Sequence, residues 1–198
     1  MDDVLEITLL VTDALEQLGV PYVVGGSLAS SFHGIPRATI DADVVAAIRP
    51  AHQTGLVKAL RDRFYLDADA IRLAIEQRAT FNLIHLETMF KVDVFIAGDD
   101  QVTRQELERG RPFVVTDAPE RTLRIASAED TIARKLHWYE LGDGVSDRQW
   151  NDVVGVLKVA GASLDLPYLR RTAALLGVER LLDRAIEEVG QEDRGEDR

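Results

Sequence analysis

Three acidic residues in this chain have the spacing to act together on a charged substrate. Asp41 and Asp43 stand two residues apart in a segment where apolar residues alternate with them, so both carboxylates leave the same face of a predicted strand. Asp93 lies in a second alternating segment, residues 90–96. If the two predicted strands pair, Asp93 faces the other two carboxylates.

A cation is expected among these carboxylates. Like charges that face one another across strands are unfavourable by roughly 0.2–1 kcal/mol per pair. Carboxylate and phosphate oxygens prefer hard divalent cations, which makes Mg²⁺ the first choice and Mn²⁺ the second. The predicted metal ligands are Asp41, Asp43 and Asp93.

A glycine-rich turn precedes the acidic pair. The apolar run of residues 22–24 leads into Gly25, Gly26 and Ser27, which predicts a short strand that turns into a helix ending at Gly34. Adjacent glycines let the backbone approach an anion closely, and the free N–H groups of the helix start point at it. Ser27 is expected either to cap the helix or to contact a ligand oxygen. The turn therefore predicts a phosphate site.

Taken in this order, the Gly-Gly-Ser turn, the Asp-x-Asp strand and the later Asp resemble the nucleotidyltransferase superfamily, from Tyr22 to Ile96. Arg37 and Thr39 resemble the Arg-x-Thr-x-Asp-x-Asp variant of AbiEii-type nucleotidyltransferases, in which such residues lie beside the active site. Two alternatives involve no chemistry. In the first, Arg37 only forms an ion pair with a nearby acid. In the second, the whole pattern is a tight turn followed by strands with acidic outer faces.

Two later helices extend the resemblance. AbiEii-type proteins carry a Lys on a helix after the core and an Arg-Asp-x-x-Asp-like signature on the next helix. Lys135, Arg148 and Asp152 fall in matching order, with Gln149 where the first Asp of the signature is expected. The resemblance implies that Lys135 neutralises departing pyrophosphate and that Arg148 and Asp152 help to bind nucleotide. The plain alternatives are a solvated Lys135 and a surface ion pair between Arg148 and Asp152, four residues apart.

Composition indicates a compact protein that acts inside the cell. The 198 residues are 46% hydrophobic and 29% charged, and a chain of this length buries about 70% of its unfolded surface. The absence of cysteine excludes disulfides and thiolate metal sites. No basic leader and no long apolar run is present, so a cytoplasmic location without membrane insertion is expected. A net charge of −11 argues against a broad basic surface for duplex or long RNA.

The expected fold is α/β (α+β), with a nucleotidyltransferase-like mixed sheet of about four or five strands followed by a C-terminal helical lobe. Residues 1–120 form the predicted nucleotidyltransferase core, residues 121–190 the helical lobe and residues 191–198 a charged flexible tail. Residues 121–126 are expected at an edge of the sheet. Ser127 and Ser146 each begin a capping box, which predicts that a helix starts there.

The predicted reaction moves a nucleoside monophosphate from a nucleoside triphosphate such as ATP to an acceptor hydroxyl, with release of pyrophosphate. Asp41 and Asp43 would hold Mg²⁺ against the α-phosphate. Asp93 would ligate a second ion and help to deprotonate the acceptor. The acceptor stays open among RNA such as tRNA, a protein and a small molecule. The AbiEii-like features favour a toxin with an antitoxin partner. The negative net charge is also compatible with an enzyme that modifies antibiotics. The alternative is a nucleotide-binding or antitoxin-like module without turnover.

Overall fold

The computed structural model describes residues 2–117 and 119–196, and the side chains of residues 4–116 and 119–191. The chain divides into two compact units: Met1–Gly25 with Ala38–Ala126, and Gly26–Arg37 with Ser127–Arg198. The second unit therefore takes one early segment as well as the C-terminal helices. The functional division into residues 1–120 and 121–190 stays a prediction.

Helices and strands alternate through the first two thirds of the chain, and helices alone follow. In chain order the described elements are α1 (Asp2–Gln17), β1 (Tyr22–Val24), α2 (Gly26–His33), β2 (Asp41–Ala46), α3 (Gln53–Leu60), β3 (Phe64–Tyr65), α4 (Ala68–Gln77), β4 (Thr80–His85), β5 (Lys91–Ile96), α5 (Gln101–Arg109), β6 (Arg111–Asp117), β7 (Glu120–Ile125), α6 (Ala128–Leu141), α7 (Asp147–Ala160), α8 (Leu166–Leu176) and α9 (Glu179–Glu196). The predicted α/β fold with a helical C-terminal part is confirmed.

The described strands form one mixed sheet in the first unit, in the order β3-β4-β5-β2-β1-β7-β6. The pairs β2–β5 and β1–β7 are parallel, and the other neighbours are antiparallel. The prediction of four or five strands was too low, since the described sheet has seven. One of them, β3, has only two residues and therefore shows no periodicity. The edge position predicted for residues 121–126 is wrong, since β6 pairs with the outer side of β7.

Burial alternates along the two central strands. On β2 and β5 every second residue is buried, and these buried residues are all apolar. The partly exposed residues between them include Asp41, Asp43 and Asp93. This alternation gives the sheet one apolar face, which packs into the core, and one face that carries acids. The core residues on this apolar face with at most 1% exposure include Val24, Ala42, Val44, Leu83, Val92 and Val94.

The helices of the second unit pack around an apolar core of their own. Its fully buried members include Ile132 and Leu136 on α6, Val153 on α7 and Leu169 on α8. Both predicted capping boxes start helices. The Oγ of Ser127 accepts a hydrogen bond from the third residue after it at 3.1 Å, and that of Ser146 does so at 3.4 Å. These caps satisfy backbone N–H groups that have no partner within the helix.

The tail predicted for residues 191–198 is helical as far as Glu196, because α9 continues through it. Gln, Glu and Arg are good helix formers and extend a helix that has already begun. Residues 197 and 198 of the predicted tail lie outside the described residues. Among the helices that the structure describes, none has both the length and the hydropathy for crossing a membrane.

Candidate functional site

The Gly-Gly-Ser turn joins the end of β1 to the start of α2. The N–H of Gly25 donates to the carbonyl oxygen of Asp43 at 2.9 Å, which attaches the turn to β2. Gly26 has a φ of +55°, in the left-handed region that glycine adopts without steric cost. A Cβ placed on Gly25 would meet no heavy atom of the described residues within 4 Å. The backbone at Gly25 is therefore open to close approach by a ligand.

Ser27 lies inside the first turn of α2, because the helix already begins at Gly26. The N-cap position is therefore Gly25, and Ser27 lies two residues too late to be the N-cap, which was one of its two predicted roles. Its Oγ accepts a hydrogen bond from Nη2 of Arg37 at 2.6 Å. The hydroxyl and the guanidinium are held together, so a ligand that reaches one of them would meet the other.

The three predicted acidic residues share one face of the sheet. The parallel register of β2 and β5 places Asp43 beside Asp93 and Asp41 beside Lys91. Side chains that lie beside one another in neighbouring strands point to the same face. All four residues are partly exposed on that face. The predicted pairing of the two acidic strands is confirmed.

Lys91 also lies on this face, where the sequence alternation predicts it, but the sequence interpretation gave it no role. Its Nζ lies 2.6 Å from Oδ2 of Asp93. The hydrogen bond to Asp93 raises the pKa of Lys91, desolvation lowers it, and the charges of the three carboxylates raise it further. The ammonium is therefore charged at neutral pH. The available signal was the spacing of two residues between Lys91 and Asp93, which puts both on one face.

Thr39 precedes the acidic strand and contacts its first residue. Its Oγ1 lies 2.8 Å from the carbonyl oxygen of Asp41 and 3.2 Å from the Oδ1 of the same residue. A threonine that contacts the backbone two residues ahead holds the chain in a local turn. Thr39 thereby orients Asp41 at the start of β2.

The donor chemistry of the acidic face fits a hard divalent cation. Its carboxylate oxygens come from neighbouring positions of two paired strands, and such oxygens are the preferred ligands of Mg²⁺ and Mn²⁺. Among the described side chains, no group of three or more His, Cys, Asp or Glu is already arranged to hold a metal ion. Lys91 holds Asp93, so the three carboxylates can meet on one ion only after side chains rearrange.

The second unit contains a buried cluster of Arg37, Lys135 and Asp152. Nε and Nη2 of Arg37 donate to Oδ1 and Oδ2 of Asp152 at 2.7 and 2.8 Å, a bidentate pair. Nζ of Lys135 lies 2.8 Å from Oδ2 of the same carboxylate. The Oγ of Ser30 on α2 also donates a hydrogen bond to Oδ2 of Asp152, at 3.3 Å. This cluster joins α2, α6 and α7.

Burial and charge make this cluster a candidate anion site. The exposed fractions of the side chains are 5% for Asp152, 7% for Lys135 and 25% for Arg37. Burial opposes ionisation of Asp152, but the hydrogen bonds from Arg37 and Lys135 outweigh it and lower the pKa of the carboxyl below 3.8. In this cluster one carboxylate, that of Asp152, binds two cationic side chains, those of Arg37 and Lys135. Guanidinium and ammonium groups are also the side chains that bind phosphate oxygens through charge-assisted hydrogen bonds.

The structure separates the residues of the predicted second signature. Asp152 binds Arg37 and Lys135, whereas Arg148 is exposed and, within the part of the chain with described side chains, makes no ion pair with Asp152. The surface pair between Arg148 and Asp152 is therefore wrong, because Asp152 faces the interior of the unit. The solvated alternative for Lys135 is also excluded, because its side chain is 7% exposed.

A cavity of about 390 Å³ lies on the other face of the sheet. Its lining includes Ile7, Arg63 and His85. His85 follows Ile84, which pairs with Lys91, so His85 points away from the acidic face. The Nε2 of His85 is buried and has no hydrogen-bond partner among the described residues. No predicted site residue lines this cavity, which is therefore separate from the candidate site.

Solved structures share the fold of this chain. The antibiotic-resistance factor ANT(2'')-Ia matches with a TM-score of 0.53 at 16% identity, over 97% of this chain and 100% of that chain. An antigenic nucleotidyltransferase-like protein from Paracoccidioides brasiliensis matches with a TM-score of 0.53 at 16% identity, over 93% of each chain. The lincosamide antibiotic adenylyltransferase LnuA, bound to lincomycin, matches with a TM-score of 0.51 at 12% identity, over 80% of this chain and 98% of that chain.

These similarities show that the chain has a nucleotidyltransferase-like fold. No protein-family model matches the sequence, and no curated protein matches it either. The AbiEii-type resemblance stays a prediction, because it depends on the short signatures around Arg37 and Lys135.

Proposed function

We propose that this protein is a metal-dependent nucleotidyltransferase, which moves a nucleoside monophosphate from a nucleoside triphosphate to an acceptor hydroxyl. The observation that carries the proposal is the register of β2 and β5. It sets Asp43 beside Asp93, with Asp41 on the same face, in a sheet of nucleotidyltransferase-like fold. Carboxylates are the protein ligands that commonly hold the divalent metal used in phosphoryl transfer.

The phosphate-binding roles are assigned to the turn and to the buried cluster. Gly25 and Gly26 would hold the β- and γ-phosphates through their N–H groups, which the open position at Gly25 supports. Arg37 would contact the same phosphates together with Ser27, to which it is bound. Lys135 would neutralise the charge that develops on the leaving pyrophosphate, supported by its place beside a second cation, Arg37, on the carboxylate of Asp152.

The proposed chemical step is an in-line displacement at the α-phosphorus. The acceptor oxygen forms a bond to this phosphorus while the bond to the oxygen that bridges to the β-phosphate breaks. Pyrophosphate leaves with the electron pair of that bond, and the acceptor proton passes to the carboxylate of Asp93. Mg²⁺ or Mn²⁺, held by Asp41, Asp43 and Asp93, would supply positive charge at the reacting phosphate.

A small cationic molecule is the acceptor that we favour. The net charge of −11 attracts cations and repels nucleic acids. Polyamine antibiotics such as aminoglycosides carry both positive charge and free hydroxyls. Transfer to tRNA by a toxin that an antitoxin protein inhibits is the second candidate, and it depends on the AbiEii-type pattern at Arg37, Thr39, Lys135, Arg148 and Asp152.

The test is transfer of radiolabel. The protein is incubated with each of the four α-labelled ribonucleoside triphosphates and Mg²⁺, against an aminoglycoside and lincosamide panel, total tRNA and cell protein. Label in the small-molecule fraction would support our favoured acceptor, and label in tRNA would support the toxin. Asp41→Asn should lose nearly all transfer and bind metal-nucleotide more weakly. Asp93→Asn should retain most nucleotide binding but transfer about 10²–10⁴-fold more slowly.

Asp62→Asn is the matched control for these variants. Asp62 lies in the same unit and its side chain is 89% exposed, so transfer should stay at the wild-type rate. Metal-dependent nucleotide binding without label in any fraction would instead support the nucleotide-binding module without turnover. Transfer by Asp93→Asn at the wild-type rate would overturn the assignment of Asp93 as the base.

A further inference from the structure

Lys91 binds one of the two oxygens of Asp93 that a metal ion could use. Its Nζ lies 2.6 Å from Oδ2 of Asp93, and the register sets Lys91 directly beside Asp41. The ammonium is thus a monovalent cation built into the acidic face. It carries three N–H donors and binds the same lone pairs that a divalent ion would bind.

An ammonium and a divalent cation cannot share this oxygen without cost. Two positive charges a few ångströms apart repel each other, and the repulsion is only partly screened at a half-buried position. The side chain of Asp93 is 17% exposed, so water can replace little of the contact, whereas that of Lys91 is 41% exposed and can swing into solvent. Displacement of Lys91 is therefore sterically open.

We propose that Lys91 is a built-in competitor for divalent metal at Asp93: its ammonium holds Asp93 in the metal-free protein, and a metal ion binds Asp93 only by displacing it. This inference rests on the proposed function, since it concerns the same carboxylates. In the metal-free protein, Lys91 relieves the repulsion between carboxylates on paired strands. Lys91 is thus a positioning residue, which holds the carboxylate of Asp93 until a metal ion displaces the ammonium.

Competition predicts opposite effects of one substitution on metal affinity and on stability. Lys91→Gln removes the competitor, so the affinity for metal should rise, whereas the metal-free protein should melt at a slightly lower temperature. A lysine that only stabilises the sheet would lower the melting temperature without raising the metal affinity. The two measurements together therefore separate a competitor from a structural ion pair.

The experiment is a Mn²⁺ titration, followed by electron paramagnetic resonance, at a fixed excess of a non-hydrolysable ATP analogue. Lys91→Gln should bind Mn²⁺ about fivefold more tightly than the wild type, the size expected when a partly exposed ion pair no longer competes. Lys91→Arg keeps the charge and should stay close to the wild type. Lys58→Gln removes the same charge from an exposed position of α3 and should change the affinity less than twofold.

A double variant localises the effect to Asp93. In an Asp93→Asn background, Lys91→Gln should bring no further gain in Mn²⁺ affinity, because the contested carboxylate is gone. Equal Mn²⁺ affinities of the wild type and Lys91→Gln would overturn this inference and leave the proposed function in place. An equal gain from Lys91→Gln in the Asp93→Asn background would have the same consequence. Failure of every variant, including the wild type, to bind Mn²⁺ with nucleotide would overturn the proposed function and the inference with it.

Discussion

At the scale of single side chains, Asp152 is the carboxylate that Arg37, Lys135 and Ser30 share in the second unit. Its two oxygens accept hydrogen bonds from Arg37 and Lys135, while only 5% of its side chain is exposed. A buried carboxylate of this kind holds two cations that would otherwise repel each other. Breaking a buried ion pair by removing one partner costs about 3–5 kcal/mol, because the remaining charge is left uncompensated.

We expect Asp152→Asn to lower the free energy of unfolding by about 3 kcal/mol, a fall in Tm of roughly 6–12 °C for a chain of this size. Arg148→Gln is the control, because Arg148 is exposed and should change the stability by less than about 0.5 kcal/mol. Urea denaturation of both variants measures the difference. Equal losses in the two variants would contradict the assignment of Arg37 and Lys135 as the partners of Asp152.

The second prediction at this scale concerns Gly25. Alanine meets no described atom within 4 Å there, and the position has no left-handed φ, so Gly25→Ala should keep the wild-type Tm. The added methyl group would stand where a phosphate approaches the backbone. Affinity for Mg²⁺-ATP should therefore fall about tenfold, or 1.4 kcal/mol. Calorimetry gives the affinity, and a lower Tm with unchanged affinity would argue against a phosphate site at this turn.

At the scale of secondary-structure elements, the close contact of α2 and α7 sets the geometry of the buried cluster. Gly34 follows α2, and a Cβ at this position would lie 2.8 Å from the N of Val156 and 2.9 Å from the carbonyl carbon of Gly155. Both atoms belong to the backbone of α7. A side chain at residue 34 would push the two helices apart and move Ser30 away from Asp152.

Gly34→Ala should therefore destabilise the protein by about 1–3 kcal/mol, the usual cost of forcing extra volume into a packed contact. Gly155→Ala is the matched control on the opposite side of the contact. Its Cβ would meet Ile35 at 3.5 Å, an ordinary contact, and alanine favours the helix by about 0.5–1 kcal/mol. Urea denaturation should show the two variants moving in opposite directions. A stable Gly34→Ala would contradict the close approach of α2 and α7.

At the scale of the whole molecule, charge is distributed unevenly. The chain carries a net charge of −11, yet the cluster around Asp152 holds two cations for one carboxylate. Acidification protonates carboxylates throughout the chain, but those with a lowered pKa lose their charge last. The response of stability to pH therefore reports on the cluster.

Asp152 contributes stability that depends on pH in a defined direction. Its pKa in the folded chain is below 3.8, so the unfolded chain binds this proton first, and its contribution is fully present above the ordinary aspartate range. The contribution is lost as the pH falls through the folded pKa. The stability difference between wild type and Asp152→Asn should be constant from pH 7 to about pH 5 and shrink below pH 4. Denaturation curves across this pH range measure the stability difference. A difference that grows on acidification would contradict the lowered pKa of Asp152.

Local patterns in the sequence were enough to predict most of the elements and the faces of the strands. The alternation around Asp41, Asp43 and Asp93 depends only on the two-residue period of a strand, and the starts at Ser127 and Ser146 depend on hydrogen bonds within one helical turn. Such features involve near neighbours in the chain. They are therefore readable without knowing how the chain packs.

Only the tertiary structure decided which side chains meet. Arg37 and Asp152 are 115 residues apart in the chain, and their contact depends on how α2 packs against α7. The register that sets Asp43 beside Asp93 likewise depends on the whole sheet, including the two-residue strand that periodicity missed. Arg148 has the helical spacing for a pair with Asp152 but lies on the exposed side of α7. Spacing along one element allows a contact, whereas the burial of that element's apolar side decides which side chains turn inward.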